Sequence, residues 1–241
     1  MTIELKNISL EFRKYNNGFP SLKSYFLDLT KFKKPKYSNF IALNKINLKI
    51  NNGDRIGVIG DNGAGKSTLL KLISGIYTPS KGIILVEGKV APLLEIGSGF
   101  HPELSGRENL RLNLGLLGFS LNETKSFEEP IIEFSGIREF IDVQVKYYST
   151  GMNLRLGFSI MSSIEPDILL IDEFFAGGDK DFINKSSNRL EQMIFNSRIL
   201  IMVSHQLEYI EKFCNKVLWL KNGNINSFGD TKTILKNYIA N

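Results

Sequence analysis

A glycine-rich loop between an apolar segment and a helical segment constrains the fold more than any other feature. Residues 60–67 read G-D-N-G-A-G-K-S, which matches the pattern G-x-x-x-x-G-K-[ST] at every fixed position. An apolar run, Arg55–Ile59, precedes the loop and predicts a buried strand, and Lys66–Ile76 follows with helical spacing. The chain is therefore predicted to contain a strand–loop–helix unit whose backbone N–H groups surround phosphate oxygens.

The residue types in this loop predict how a nucleoside triphosphate would be held. Glycines let successive N–H groups face one concave surface, and the helix N-terminus adds the positive end of its dipole. We expect the ammonium of Lys66 to reach the β- and γ-phosphates and the hydroxyl of Ser67 to hold Mg²⁺. The predicted nucleotide-binding residues of the loop are Gly60, Asp61, Asn62, Gly63, Ala64, Gly65, Lys66, Ser67 and Thr68.

Polar side chains follow two further apolar segments downstream. Ile168–Ile171 is followed by Asp172 and Glu173, and Ile199–Val203 by Ser204 and His205. If the acidic strand neighbours the phosphate-loop strand, its carboxylates lie beside the phosphates. Asp172 is then the candidate Mg²⁺ ligand, Glu173 the group that orients or deprotonates the attacking water, and His205 a γ-phosphate contact.

Strands that alternate with helices along the chain predict an α/β fold with a mainly parallel sheet. We expect a P-loop NTPase core, an N-terminal antiparallel β region and an inserted α-helical subdomain at about 98–165, all in one domain over 1–241. Residues 13–40 break the strand pattern and are interpreted as an insertion. Gly82–Val90 is predicted to be one strand or hairpin.

The composition narrows the partners. With 30 basic and 25 acidic residues, the net charge of +5 is too mild to indicate nucleic-acid binding. The single cysteine, Cys214, excludes an internal disulfide. No apolar run reaches the roughly 18–20 residues that a membrane-spanning helix needs, so we expect a soluble or peripheral protein.

Residues 148–152 read Y-S-T-G-M and resemble in position the signature loop of ABC ATPases, usually L-S-G-G-Q. Tyr148, Thr150 and Met152 depart from that pattern, whereas Ser149 and Gly151 keep it. The order of phosphate loop, signature-like loop, acidic pair and histidine is also that of the family. The resemblance implies ATP as the nucleotide and a second copy of the chain, whose bound ATP meets Ser149 and Gly151 in trans.

The same resemblance assigns three more positions. Phe12 falls where the family places an aromatic ring on the adenine, and Asp179 in the loop that bridges the two copies. Glu95 stands where the family has the glutamine of its metal-sensing loop, and the resemblance makes it a further candidate for the metal site.

Within the family, residues 94–109 (L-E-I-G-S-G-F-H-P-E-L-S-G-R-E-N) resemble ATPase subunits that export bacterial surface polysaccharides of the O-antigen, capsule and teichoic acid types. This likeness implies a membrane permease as partner, a peripheral place on the cytoplasmic face of the cell membrane, and a 13–40 insertion near that partner. The loop over 95–100 would contact a coupling helix of the permease.

Other readings stay open. The ATPase of an importer or of a drug or lipid exporter shares most of these motifs. A GTPase normally has N-K-x-D, and the Asn-Lys pairs at 44, 184 and 215 lack the aspartate. A non-transport ABC protein usually has two cassettes or a long coiled-coil insertion, and a purely regulatory binding module would not need Asp172, Glu173 and His205.

Overall fold

The computed structural model describes residues 1–15, 37–94, 96–97, 99–173 and 180–240. Nine strands are named in this part of the chain: β1 Thr2–Tyr15, β2 Tyr37–Asn51, β3 Arg55–Ile59, β4 Lys81–Val86, β5 Val90–Leu93, β6 Ile168–Asp172, β7 Ile199–Val203, β8 Lys216–Lys221 and β9 Asn224–Asp230. The helices are α1 Lys66–Ile73, α2 Gly106–Leu116, α3 Leu121–Ser135, α4 Thr150–Ser162, α5 Lys180–Asn196, α6 Leu207–Phe213 and α7 Thr231–Ile239, with short 3₁₀ turns at Arg138–Phe140 and Val145–Tyr147.

The central sheet has six strands in the order β5-β6-β7-β3-β8-β9, and every neighbouring pair except β8 with β9 is parallel. All five residues of β7 are buried, as expected for a strand covered on both faces. The expectation that the acidic strand neighbours the phosphate-loop strand is wrong, because β7 lies between β6 and β3. The register still aligns the two, since Val203 of β7 pairs with both Val58 and Asp172.

A second, antiparallel sheet has the order β2-β1-β4. The predicted single unit over Gly82–Val90 is wrong, because the structure divides it between the two sheets. β4 pairs with β1, whereas β5 pairs with β6. Gly88, with φ of 124°, lies in the turn between them. Alternation of apolar residues shows that a segment is extended, but it does not show which sheet the segment joins.

Helices α2, α3 and α4 enclose a separate apolar core over Leu110, Leu114, Ile131, Ile132 and Leu156. These helices fall within the predicted 98–165 range. Both α2 and α3 begin with a capping box, in which a serine at 105 or 120 exchanges hydrogen bonds with the glutamate three residues later.

An ion-pair network ties these helices together. Glu128 of α3 contacts Arg107 and Arg111 of α2, and the Arg107 guanidinium also binds Asp142 at 2.7 Å. The hydrogen bond from Arg111 is the main reason that the pKa of Glu128 lies below its usual value. The Arg107 hydrogen bond likewise lowers the pKa of Asp142.

Two further observations concern membrane-spanning helices and the single cysteine. Among the described residues no helix is long and apolar enough to cross a membrane. The thiol of Cys214 is 7% exposed, and this burial raises its pKa to about 12.

The first helix is shorter than the sequence predicts. It ends at Ile73 rather than Ile76, because Ser74 caps it and Gly75 adopts a φ of 80°.

Candidate functional site

The phosphate loop connects β3 to α1, and its glycines adopt backbone conformations that other residues avoid. Gly60, Gly63 and Gly65 have φ of 142°, 79° and 103°. A Cβ on Gly60 would lie 2.1 Å from the carbonyl oxygen of Leu220, and one on Gly65 would lie 2.7 Å from that of Ala42. Both the turn and the close packing of the loop on neighbouring backbone therefore require glycine at these positions.

Lys66 is the first residue of α1 and is only 8% exposed. Its ammonium donates hydrogen bonds to the carbonyl oxygens of Gly60 at 2.7 Å and Asp61 at 3.0 Å. The loop itself therefore fixes the position of the positive charge.

Three segments that are distant in sequence meet at one cavity of about 220 Å³. They converge because β3, β6 and β7 run parallel and end at the same edge of the sheet. The lining residues include Asn62, Gly63, Gly65, Lys66, Ser67 and Thr68 of the loop together with Asp172, Glu173, Val203 and His205.

Glu173 and His205 are in direct contact across this edge. Nε2 of His205 lies 3.2 Å from Oε1 of Glu173, and both side chains are more than half exposed. Glu173 has a φ of 65°, a left-handed conformation that is uncommon for a non-glycine residue, and its N–H donates to the carbonyl oxygen of Val203 at 2.9 Å. Strain of this kind is often concentrated at functional sites.

The donor set of the cavity fits Mg²⁺ held together with phosphates. Ser67 and Asp172 supply a hydroxyl and a carboxylate, which are hard oxygen ligands. Among the described residues, no group of three or more His, Cys, Asp and Glu side chains forms a metal site by itself. Mg²⁺ commonly binds through one or two protein ligands, substrate phosphates and water, so this sparse set suits it.

The remaining predicted residues are distributed differently. Asp179 and Glu95 lie outside the described residues. Phe12 does not line the cavity: its ring packs edge-on against Tyr77, with centroids 5.3 Å apart. Phe40, which is paired with Phe12 across β1 and β2, lines the cavity instead and is 55% exposed.

Ser149 and Gly151 line a second cavity of about 380 Å³ that shares no lining residue with the first. Ser149 is the N-cap of α4, and its hydroxyl oxygen accepts a hydrogen bond from the Met152 N–H at 3.2 Å. The other lining residues are Gly136, Ile137, Phe140, Met152 and Arg155. Within one chain, therefore, the structure does not bring the signature-like residues to the phosphate loop.

The sequence profile of the ABC transporter family matches residues 43–176, more than half of the chain. The chain belongs to the ABC transporter family. The matched range includes the phosphate loop, the Ser149 turn and the acidic pair.

Curated relatives agree over most of the chain. An O-antigen export system ATP-binding protein, RfbB of Klebsiella pneumoniae, is 38% identical over 237 residues, covering 98% of this chain and 96% of that protein. RfbE of Yersinia enterocolitica, with the same description, is 40% identical over 90% of this chain and 93% of its own. A teichoic acids export ATP-binding protein, TagH of Shouchella clausii, is 36% identical over 97% of this chain and 64% of its own.

Solved structures agree on the fold. An ATP-binding subunit of an ABC transporter superposes with a TM-score of 0.71 at 24% identity, covering 99% of this chain and 93% of that one. The dimeric cassette MJ0796, bound to ADP and phosphate, gives 0.69 at 18% identity over 95% and 98% of the two chains. At these identities the likeness establishes an ABC ATPase fold.

Proposed function

We propose that this chain is the ATP-binding and ATP-hydrolysing subunit of an ABC transporter that exports a lipid-linked polysaccharide across the cytoplasmic membrane. The hydrolytic part depends on one observation above others: the phosphate loop, Asp172, Glu173 and His205 line the same cavity. The cargo class, of O-antigen, capsule or teichoic acid type, is supported by the relatives named above, which are described as O-antigen and teichoic acid exporters.

Each residue of the cavity has a proposed role. The loop N–H groups and Lys66 bind the β- and γ-phosphates, and Ser67 and Asp172 hold Mg²⁺, which would neutralise part of the phosphate charge. Glu173 orients the attacking water and accepts its proton. His205, 3.2 Å from Glu173, contacts the γ-phosphate and keeps the carboxylate aimed at the water.

We infer that two copies complete each site. The cavity at Ser149 is separate from the cavity at Lys66, so a Ser149 turn would reach the phosphates of another copy rather than its own. The N-terminus of α4 then points its positive dipole end at the γ-phosphate. Asp179 is assigned to the contact between the copies and Gly151 to the trans phosphates. Phe12, which does not line the cavity, is assigned to the adenine on the family resemblance alone.

The proposed permease contact lies at a third, largely apolar cavity of about 210 Å³, lined in part by Leu94, Ile96, Gly97, Phe100 and Met161. An apolar groove between α4 and the 94–100 loop would accept a short helix of the membrane subunit. Glu95 belongs to this stretch by sequence. The predicted 13–40 insertion overlaps the end of β1 and the start of β2, and we assign the part between these two strands to the same membrane-facing side. The chain would accordingly be a peripheral subunit on the cytoplasmic face of the membrane.

The hydrolytic assignment is tested with Glu173→Gln. Loss of the proton acceptor should lower phosphate release at least about 100-fold, while ATP binding and ATP-dependent dimerisation persist in sedimentation experiments. Glu208→Gln is a matched control, because Glu208 is exposed and absent from the cavity lining. Near-parental phosphate release from Glu173→Gln would remove this carboxylate from the catalytic role.

The cargo assignment needs a cellular test. Deleting the gene for this chain should trap the lipid-linked glycan inside the cell and remove the polymer from the surface. Reintroducing the intact gene should restore the surface polymer. A Glu173→Gln gene provides the control for ATPase dependence. Unchanged surface polysaccharide in the deletion strain would contradict export of this cargo.

A further inference from the structure

Tyr148 precedes the Ser149 turn and replaces the leucine that ABC ATPases usually have there. It is 9% exposed and packs with the apolar core of the helical subdomain. Its hydroxyl donates a hydrogen bond of 2.7 Å to the carbonyl oxygen of Phe140. Phe140 and Ser149 line the same cavity, and this bond connects Phe140 to the residue that immediately precedes Ser149. A leucine would have no donor for the Phe140 carbonyl.

The Tyr148 hydroxyl occupies space that a glycine leaves open. A Cβ on Gly106, the first residue of α2, would lie 2.2 Å from the hydroxyl oxygen and 3.1 Å from Cζ of the ring. Gly106 does not have a positive φ, so its backbone conformation does not itself demand glycine. An added Cβ would also lie 3.0 Å from the carbonyl oxygen of Ile141, so the tyrosine hydroxyl is the tightest of the contacts that leave no room for a side chain at 106.

Backbone hydrogen bonds join the chain segments on either side of this contact. The N–H of Arg107 donates to Ile141, and that of Val145 donates to Leu104, both at 2.9 Å or less. A β-bridge between Ser105 and Gln144 lies between them. The segment that starts α2 and the segment that leads into the Ser149 turn are therefore held as one unit.

Burial raises the pKa of Tyr148 to about 12, with the carboxylate of Asp142 adding to the shift. The hydroxyl therefore keeps its proton at neutral pH and remains a donor to Phe140.

We propose that Tyr148 is a positioning residue for hydrolysis: its hydroxyl, packed against Gly106 and bonded to the Phe140 carbonyl, fixes the Ser149 turn relative to the N-terminus of α2. The turn then meets the γ-phosphate bound by the second copy in one orientation. This inference rests on the proposed function, because it needs a nucleotide shared between two copies.

The test compares variants in the Glu173→Gln background, so that ATP persists during the measurement. The dimer dissociation constant with ATP and Mg²⁺ is measured for four variants: Tyr148→Phe, Gly106→Ala, the two together, and Gly115→Ala. Nucleotide affinity is measured on the same proteins at concentrations where they are monomeric, and thermal unfolding reports stability. Gly115 is the matched glycine control, because it lies in the same helix with no atom within 4 Å of an added Cβ.

We expect Tyr148→Phe to weaken dimerisation about 2- to 12-fold. The bond is present in the monomer, so this effect is the cost of ordering, on dimerisation, a turn that the bond no longer holds, and it is bounded by the worth of one buried hydrogen bond. The nucleotide affinity of the monomer should stay within twofold of the parent's. Gly106→Ala should weaken dimerisation further in the tyrosine background. Its cost should be smaller when combined with Tyr148→Phe, which removes the closest atom but leaves the Ile141 carbonyl oxygen at 3.0 Å and Cζ of the ring at 3.1 Å. Gly115→Ala should have no effect on dimerisation.

Several outcomes overturn the inference. If Tyr148→Phe lowers the melting temperature but leaves ATP-dependent dimerisation unchanged, the hydroxyl is only structural. Equal costs of Gly106→Ala in the tyrosine and phenylalanine backgrounds would show that the glycine does not accommodate the hydroxyl, and if Gly106→Ala does not fold, Tyr148→Phe alone decides. If the Glu173→Gln parent stays monomeric with ATP and Mg²⁺, both the proposed function and this inference are wrong. That outcome is distinguishable, because it is seen in the parent protein, in which Tyr148 is unchanged.

Discussion

Replacing Lys66 with methionine separates the contribution of its ammonium to the nucleotide-free fold from its proposed contribution to phosphate binding. In the structure the ammonium donates to the carbonyls of Gly60 and Asp61, at 2.7 and 3.0 Å, and the side chain is largely buried. Methionine retains an unbranched apolar stem and removes the charge. The nucleotide-free chain loses these two bonds but also no longer buries a charge, and such opposing effects often nearly cancel. We therefore expect its unfolding free energy to change by less than about 1 kcal/mol.

Nucleotide binding should respond far more strongly. A hydrogen bond to a charged group contributes about 1.5–3 kcal/mol, which corresponds to an affinity loss of about 10- to 150-fold when Lys66 no longer reaches the phosphates. At an ATP concentration of about 100 times the parental Kd, the parent gains about 2.7 kcal/mol of stability from binding. The variant should gain only about 0.3–1.4 kcal/mol at the same concentration.

Denaturant unfolding with and without ATP and Mg²⁺ measures both quantities on one sample, and calorimetry gives the affinity directly. Lys71→Met is the matched control, because Lys71 lies on the same helix but does not line the phosphate cavity. The reasoning fails if Lys66→Met binds ATP within threefold of the parent, or if Lys71→Met loses as much affinity.

Two further predictions concern stability. An added Cβ on Gly57 would lie 2.4 Å from Cγ2 of Ile210, so Gly57→Ala should destabilise the chain by about 1–3 kcal/mol in denaturant unfolding. The double variant with Ile210→Ala should lose less stability than the sum of the two single variants. Strict additivity of the two losses would contradict the steric explanation. The Arg111 hydrogen bond holds the pKa of Glu128 below its usual 4.5. The ionised Glu128 side chain therefore contributes its full stabilisation of the fold above about pH 4.5, and this contribution is lost as the pH falls through the folded-state pKa. Glu128→Gln should lack this acid-dependent loss in denaturant midpoints measured from pH 7 downwards, and an identical loss in both proteins would refute it.

The sequence was sufficient for the segments whose pattern is local. Arg55–Ile59 and Ile199–Val203 were predicted with their observed bounds, because each is a short apolar run between polar or glycine residues. The phosphate loop was predicted because its spacing, its preceding strand and its following helix all belong to one continuous stretch.

Features that depend on distant contacts were not readable. Nothing in the sequence indicates that β7 separates β6 from β3, because sheet order depends on crossover connections rather than on residue pattern. Phe40 was missed as a cavity residue, since it carries no signal apart from its pairing with Phe12 across two strands. The need for glycine at 106 was equally hidden, because Tyr148, whose hydroxyl occupies that space, lies more than 40 positions later in the sequence.

The burial of Cys214 has a practical consequence for studying the motion of this protein. A protonated thiol in the interior reacts slowly with maleimides at neutral pH, so the unmodified sequence supplies a nearly silent background for labelling. Single cysteines introduced at Leu116 and Ile239, which are 76% and 71% exposed, would accept fluorophores or spin labels selectively. Distances between such reporters would then follow the proposed ATP-dependent association of two copies in solution, without prior removal of the native thiol.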